Sequence, residues 1–315
     1  MVHRRPILEH RRPIVVVGSI NMDLVTRTPR VPAPGETLIG TGFVTTPGGK
    51  GANQAVAVAR LGYPVVMLGK VGEDVFGRAL IQNLDAAGVD TSAVVVEAGP
   101  SGVAPIMLAE DGQNSIVVVP GANAMVDEAY IEAHADRIRS AAMVLCQLEV
   151  PMRTVEYTAA LCSAAGVPLI LDPAPAALLP DSLWSKLTWI TPNETEAIFY
   201  VGSKLPVKET AHSLLGKGVG NVVLKRGVNG AYVTTTGGLE QVPAYQVKAI
   251  DTVAAGDCFN GAFAVALLEG KGPLDAARFG SAAAAISVTR RGAQESMPTR
   301  AEVESFLRSN LDKAG

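Results

Sequence analysis

Cysteine, histidine, aromatic side chains and charge are all scarce in this chain of 315 residues, and each scarcity removes a class of function. The three cysteines, Cys146, Cys162 and Cys258, are odd in number and widely spaced, with no C-x-x-C pair. That argues against a disulfide framework or a zinc site and fits a reducing cytosol, so a cytoplasmic protein is expected. Of the four histidines, His3 and His10 lie in the N-terminal tail, while His134 and His212 sit in helical surface patterns. None is assigned chemistry. Charged residues make up 18% and the net charge is -3, which leaves no electrostatic case for nucleic acid or an anionic membrane. No apolar run approaches the ~20 residues of a membrane span. The opening MVHRRPILEHRRP is basic but lacks the apolar stretch of a signal peptide, and residues 1–12 are expected to be a short disordered extension. Asn193 opens a glycosylation triplet, but nothing else points to secretion.

Hydrophobic residues, at 48%, are sufficient for a large core, and 32 glycines with 20 prolines fit many tight turns between aliphatic elements. PIVVVGSINMD opens with an aliphatic run lacking polar alternation, as a strand covered on both faces does. GANQAVAVARLG then reads as a helix, VVMLGKVG as a buried strand and FGRALIQNLDAAG as an amphipathic helix ending at Gly88. The alternation continues to a last long helix, PLDAARFGSAAAAISVTR. It predicts an α/β fold with a mainly parallel central sheet and helices on both faces, occupying residues 13–315. Two stretches break the rhythm. GETLIGTGFVTTPGG reads as extended, and GVAPIMLAEDGQNSIVVVPGAN as two strands joined around Asp111 and Gly112. Inserted at about 35–47 and 94–120, they read either as edge hairpins or as a small β-sheet lid. The apolar IVVVP is a candidate for pairing with another subunit.

Several segments carry candidate chemistry beside a plain structural reading. PGGKGANQ fails the Walker A pattern, since Val44 stands at the first glycine position and Gly51 follows Lys50. No G-x-G-x-x-G follows the first strand, which removes the warrant for a dinucleotide-dependent oxidoreductase. What remains is a glycine-lined helix entry bearing Lys50 and Asn53. Asn21 and Asp23 follow the first strand, where ligands of open α/β sheets collect, and either a grip on neighbouring hydroxyls of a sugar or an Asx turn leaving the strand accounts for them. Glu149, Asp172, Asn193 and Glu196 follow other strands and read as a cleft along one sheet edge or, singly, as helix caps. LKRGVNG is a hairpin turn or a loop under a nucleotide. In DTVAAGDCFNG, Asp257 follows Ala254, Ala255 and Gly256 where a helix begins. Free N–H groups in a first turn suit an anion, so Asp257 is a favourable first-turn acid or a base beside a bound phosphate. Cys258 is assigned to core packing.

Taken together, GSINMD, PGGKGANQA, GED, PGAN, QLEVP, TPNETEA, DTVAAGDCFNGA and TRRGAQESMP resemble, in order, the motifs of the ribokinase family of carbohydrate kinases. The resemblance runs from about Ile14 to near the C-terminus. It implies a ribokinase-like, Rossmann-like three-layer fold with a β-lid that forms a homodimer contact. It also implies ATP-dependent phosphorylation of D-ribose at O5, with Mg²⁺ and K⁺. By motif, Asp257 is implied as catalytic base and the amides of Ala254, Ala255, Gly256 and Asp257 as the anion hole. Asn21, Met22, Asp23, Gly49, Lys50, Gly51, Ala52, Asn53 and Glu149 are implied at the sugar. Asn193, Lys225, Arg226, Gly227, Val228, Asn229, Gly230, Gly256, Asp257 and Ser281 are implied at the nucleotide. Asn193 and Glu196 are associated with magnesium. Asp251, Val253, Ser287, Arg290, Gly292 and Ser296 are placed near a monovalent cation. Lys225 stands where the family often has Thr, Ser281 replaces Asn or His, and Cys258 replaces Thr. Kinases of deoxyribose, fructose or nucleosides share the same base, and a catalytically silent sugar-binding protein is the alternative of another class.

Overall fold

The first aliphatic run, Ile14–Val17, is the hinge of the topology. It is wholly buried and hydrogen-bonded on both edges, to Val65–Leu68 on one side and Met143–Cys146 on the other, both parallel. From Met143–Cys146 the sheet continues through Leu169–Leu171, Trp189–Ile190 and Asn221–Lys225, again parallel. Ala231–Thr235 and Gly238–Val242 complete eight strands as an antiparallel edge. Chain order therefore reverses between Ile14–Val17 and Met143–Cys146, a switch point at which open α/β sheets form ligand crevices. The computed structural model describes residues 11–111, 113–235 and 238–311.

Alternate strand residues feed two cores. Ile14, Val16, Met143, Leu145 and Ile170 join one cluster with the helices Lys50–Arg60, Ala255–Leu268 and Pro273–Ser287. Val15, Val17, Val144, Cys146, Leu169 and Leu171 join the other, with the helix Met152–Ala165. That period of two explains why these strands carry no polar alternation: both faces are covered.

Some expectations shift. VVMLGKVG is not one strand. It splits at Gly69, and Lys70–Gly72 pairs with Val95–Glu97 in a separate two-stranded sheet. A third sheet has the order Gly42–Gly48, Asn21–Thr28, Gly102–Ala109, Asn114–Ile116. Both irregular stretches contribute to it, but so does Asn21–Thr28, read from sequence as the exit of the first strand. Gly112 lies outside the described residues, as does most of the expected extension over 1–12. The two described residues of that extension are docked. Arg12 donates to the carbonyls of Ser140 (2.9 Å) and Ala141, and Arg11 to Glu269 (3.2 Å). Among the described residues, no helix is long and apolar enough to cross a membrane.

Candidate active site

Five neighbouring strands end on one edge, and each delivers a polar side chain there. Ser19 and Asn21 follow Ile14–Val17, Gln147 and Glu149 follow Met143–Cys146, and Asp172 follows Leu169–Leu171. Asn193 follows Trp189–Ile190, and Lys225 ends Asn221–Lys225. Two helices then begin over this edge, Lys50–Arg60 and Ala255–Leu268. They cross closely because residue 261 has no side chain: a Cβ on Gly261 would stand 2.7 Å from the Ala57 Cβ and 3.0 Å from the Gln54 carbonyl. The crossing brings the first turns of both helices together. Asn53 Nδ2 donates to Asp257 Oδ2 at 3.0 Å and Gln54 Nε2 to Asp257 Oδ1 at 3.2 Å.

The turn entering the second helix is strained. Ala254 has φ 57°, the left-handed region, and is the one non-glycine there among the described residues. Such a residue costs about 1–3 kcal/mol and persists where its surroundings enforce it. Of the four expected amides, that of Ala255 is turned onto the Thr252 carbonyl (3.3 Å). Among the described residues the N–H groups of Ala254, Gly256 and Asp257 have no protein acceptor; those of Gly256 and Asp257 belong to the first turn of the helix and are open to an anion.

Charge in the cleft is dominated by acids. Asp257 is buried, and burial pushes its carboxyl up to about 6; Lys50 opposes this, Asp172 adds to it, and the Asn53 and Gln54 bonds favour the ionised form. Asp23 is pushed up to about 7 by burial, aided by Glu149 and Asp257 and opposed by Lys50. Burial pulls the Lys50 ammonium down, but Asp257, Asp172, Glu149 and Glu196 outweigh it and hold the group above its ordinary range. Glu149 Oε2 accepts from Ser19 Oγ (2.5 Å), the Lys50 amide (3.2 Å) and Asn21 Nδ2 (3.3 Å), tying three loops into one wall.

Asn21 and Asp23 share one face of their strand, and both are buried. Met22 alternates to the other face and packs in the core, away from Asn21 and Asp23, whereas the resemblance implied it beside them at the sugar. Ala52 is likewise a core residue, and Gly51 meets the Gly18 backbone. Gly49 has φ 87°, and a Cβ there would lie 2.6 Å from the Asn21 amide, so only glycine allows this loop. Asn193 and Glu196 form a reciprocal capping box, each side chain bonding the other's backbone N–H at 2.8–2.9 Å. The Glu196 carboxyl is raised, first by burial and further by Asp172, against the pull of Lys225. Lys225, Gly227, Val228, Gly230 and Ser281 line a cavity of about 490 Å³ that also reaches Lys50, Asp172, Glu196, Gly256 and Asp257. Arg226 instead pairs with Glu194 (2.8 Å), and neither it nor Asn229 lines the cavity. LKRGVNG is thus both a turn between antiparallel strands and a cavity wall.

Asp251 Oδ1 accepts from the Val253 amide and Oδ2 from the Gly292 amide, both at 3.0 Å. Arg290 N–H bonds the Ser287 carbonyl (3.0 Å), and its guanidinium reaches the Ser296 carbonyl (3.4 Å). The six residues of the implied cation neighbourhood thus form two hydrogen-bonded triples, one centred on Asp251 just before the strained turn and one centred on Arg290 after it in the chain.

Sequence reasoning missed a buried amide network. Gln54 bridges Asp257 to Asp172 Oδ2 (3.1 Å) and accepts from Gln147 Nε2 (2.7 Å). Gln294 donates to Asn53 Oδ1 (3.1 Å), and Asn123 donates to Asn21 Oδ1 (2.6 Å). Amides in GANQAVAVARLG, QLE, GAQ and PGAN were visible, but only proximity in space gives them partners.

The family profile described as pfkB family carbohydrate kinase matches residues 11–300. The chain is 45% identical over 297 residues to a Bacillus subtilis ribokinase and 42% identical over 302 residues to one from Haemophilus influenzae. Each alignment covers 94% of this chain and 99% of the relative. The structure of Arabidopsis thaliana ribokinase complexed with ribose and ATP superposes with a TM-score of 0.89 at 36% identity, covering 95% of this chain and 99% of that one.

Proposed function

The chain belongs to the pfkB family of carbohydrate kinases and phosphorylates ribose with ATP as donor; we propose that O5 is the acceptor and that Asp257 is the base. One observation carries the assignment: the buried Asp257 carboxylate, fixed from the neighbouring helix by the side-chain amides of Asn53 and Gln54, stands in the turn that offers the unpartnered N–H groups of Gly256 and Asp257. A base and an anion hole share one turn, as in-line phosphoryl transfer requires. Asn21, Asp23, Asn53 and Glu149 hold the sugar hydroxyls, with Lys50 beside them. The nucleotide lies in the cavity between Lys225–Gly230 and Ser281. Asp257 takes the O5 proton, and the two amides hold an oxygen of the transferring phosphoryl.

The residues present fit magnesium. Glu196 is buried, faces the cavity and is raised by burial, so a nearby cation would restore its charge. Among the described residues no cluster of three or more metal-ligating side chains exists, so ATP's phosphates supply most of the donors, with Asn193 and Glu196 beside them. Bound magnesium supplies neutralisation of phosphate charge. The oxygens of Asp251 and the carbonyls of Val253, Ser287, Arg290, Gly292 and Ser296 suit potassium, which would brace the turn leading to Ala254. The small sheet is the lid. Its exposed Phe43, Val44, Ile116, Val117 and Val119 form an apolar surface for a second copy of the chain. A cytoplasmic location completes the reading.

Two expected results test it. In a coupled assay, ribose exceeds 2-deoxyribose in kcat/KM by about tenfold or more, because the absent hydroxyl leaves a buried polar group such as Asp23 unpaired, and ribose exceeds fructose and adenosine as well. A substrate among the three that beats ribose would replace the sugar assignment, and no ADP release at all would indicate a silent binding protein. The second result is the acid limb. Asp257 must be ionised to act, and its carboxyl is raised to about 6. The value of kcat/KM should therefore lose about tenfold per unit through Asp257 once the pH falls below that value. A limb near the ordinary carboxylate value of ~3.9 would contradict the role given to a buried base.

A further inference from the structure

We propose that Lys225 is a phosphate-binding residue held in reserve by Asp172, and that ATP draws its ammonium over the anion hole during turnover. The inference rests on the kinase reading above. Lys225 Nζ lies 2.9 Å from Asp172 Oδ1, in a pair whose side chains are 14% and 3% exposed. Apart from the adjoining residues and the helix's own backbone, the same ammonium is the one heavy atom within 4 Å of a Cβ built on Gly256, at 3.3 Å. It therefore hangs beside the two unpartnered amides. An ammonium carries three donors, and Asp172 takes one. The Lys225 backbone is fixed by the hydrogen bond its N–H donates to the Pro192 carbonyl (2.9 Å) and by the strand pairing beyond it. A phosphate oxygen seated on the Gly256 and Asp257 amides is thus within reach of a side-chain rotation.

Asp172 is built to release its partner. Its second oxygen already accepts from Gln54 at 3.1 Å, so the carboxylate stays anchored when the lysine turns toward phosphate. Lys50 differs: Asp257, Asp172, Glu149 and Glu196 act on it jointly, and among the described residues no single carboxylate forms an ion pair with it as Asp172 does with Lys225. A threonine at position 225, the residue expected there from the family pattern, offers a short hydroxyl but no charge. Lys225 makes the ion pair and the added phosphate contact features of this chain.

Titrations with AMP, ADP and ATP in the absence of divalent metal test the proposal, with ribose titrated as a control for an intact sugar site. Lys225→Met should weaken ATP about 10- to 100-fold, the range of a lost charge-assisted hydrogen bond, while AMP and ribose remain within about threefold of wild type. Asp172→Asn, which retains an acceptor for Gln54, should bind ATP at least as tightly as wild type. A plain structural ion pair gives the opposite pattern: AMP and ATP weakened equally in Lys225→Met, or ATP weakened as much by Asp172→Asn as by Lys225→Met. Either result overturns the proposal. If Lys225→Met does not fold, Lys225→Gln is judged by the same criteria. Wild-type ADP release separates the two levels. No ribose-dependent release removes the kinase reading and this inference with it, whereas release with affinities insensitive to phosphate number removes this inference alone.

Discussion

Asp257→Asn is expected to lower kcat for ribose by about 10³-fold or more while changing ribose affinity by no more than about threefold. The asymmetry follows from how the carboxylate is held. Asn53 and Gln54 each donate to one of its oxygens, so the group is oriented by the protein before any sugar arrives. An asparagine fills the same volume but cannot accept a proton from a hydroxyl at neutral pH. Its new NH₂ also faces an amide donor, which costs one hydrogen bond. Against that, an acid whose titration is shifted up to about 6 by burial is one whose ionised form the site disfavours, so removing the charge offsets the lost bond. The melting temperature should consequently move little. Asn21, Asp23 and Glu149, proposed to hold the sugar, are untouched, and calorimetric ribose binding measures that wall directly. Near-normal turnover in this variant would end Asp257's role as base. Loss of ribose binding together with turnover would instead make Asp257 a sugar-binding residue whose removal empties the site.

Much of this arrangement was legible in the chain because the relevant signals are local. Aliphatic runs ended by polar residues gave the parallel strands, and their C-terminal acids and amides marked the edge that carries the cleft. The elbow at Ala254 to Gly256 identified a helix start beside an acid. The sequence did not disclose properties that depend on pairing across distance. Asn21–Thr28 joins the small sheet because Gly42–Gly48 and Gly102–Ala109 flank it, and neither partner is near it in sequence. The split at Gly69 has the same origin, since Lys70–Gly72 finds Val95–Glu97. Met22 was placed at the sugar by motif adjacency, yet a strand turns successive side chains to opposite faces, and its neighbours took the polar side. Gln54 and Gln294 looked like ordinary helix and loop amides, and the groups they bond lie 118 and 203, or 241, positions away.

Gln54→Leu should therefore produce the second large effect, in a residue that need not touch either substrate. The side chain is buried and makes three bonds: it donates to Asp257 Oδ1 and Asp172 Oδ2 and accepts from Gln147 Nε2. Leucine fills the space but leaves those partners facing an apolar group. Each buried partner left unpaired costs about 1–3 kcal/mol, more when charged. Gln147 is especially exposed to this loss, because its Oε1 already has no partner among the described residues. A destabilisation of about 3 kcal/mol or more is expected, measured by urea denaturation. With one oxygen released, Asp257 is held by Asn53 alone, and kcat should fall about 10²-fold with a smaller change in KM for ribose. Gln54→Glu distinguishes positioning from packing. It keeps the shape but places a third carboxyl between Asp257 and Asp172, which disfavours the ionised base. The acid limb of kcat/KM should then move to higher pH than in wild type. An unmoved limb with reduced activity would mean that Gln54 supports only the fold. A shifted limb would show that the amide bridge sets the charge state of the group that takes the proton.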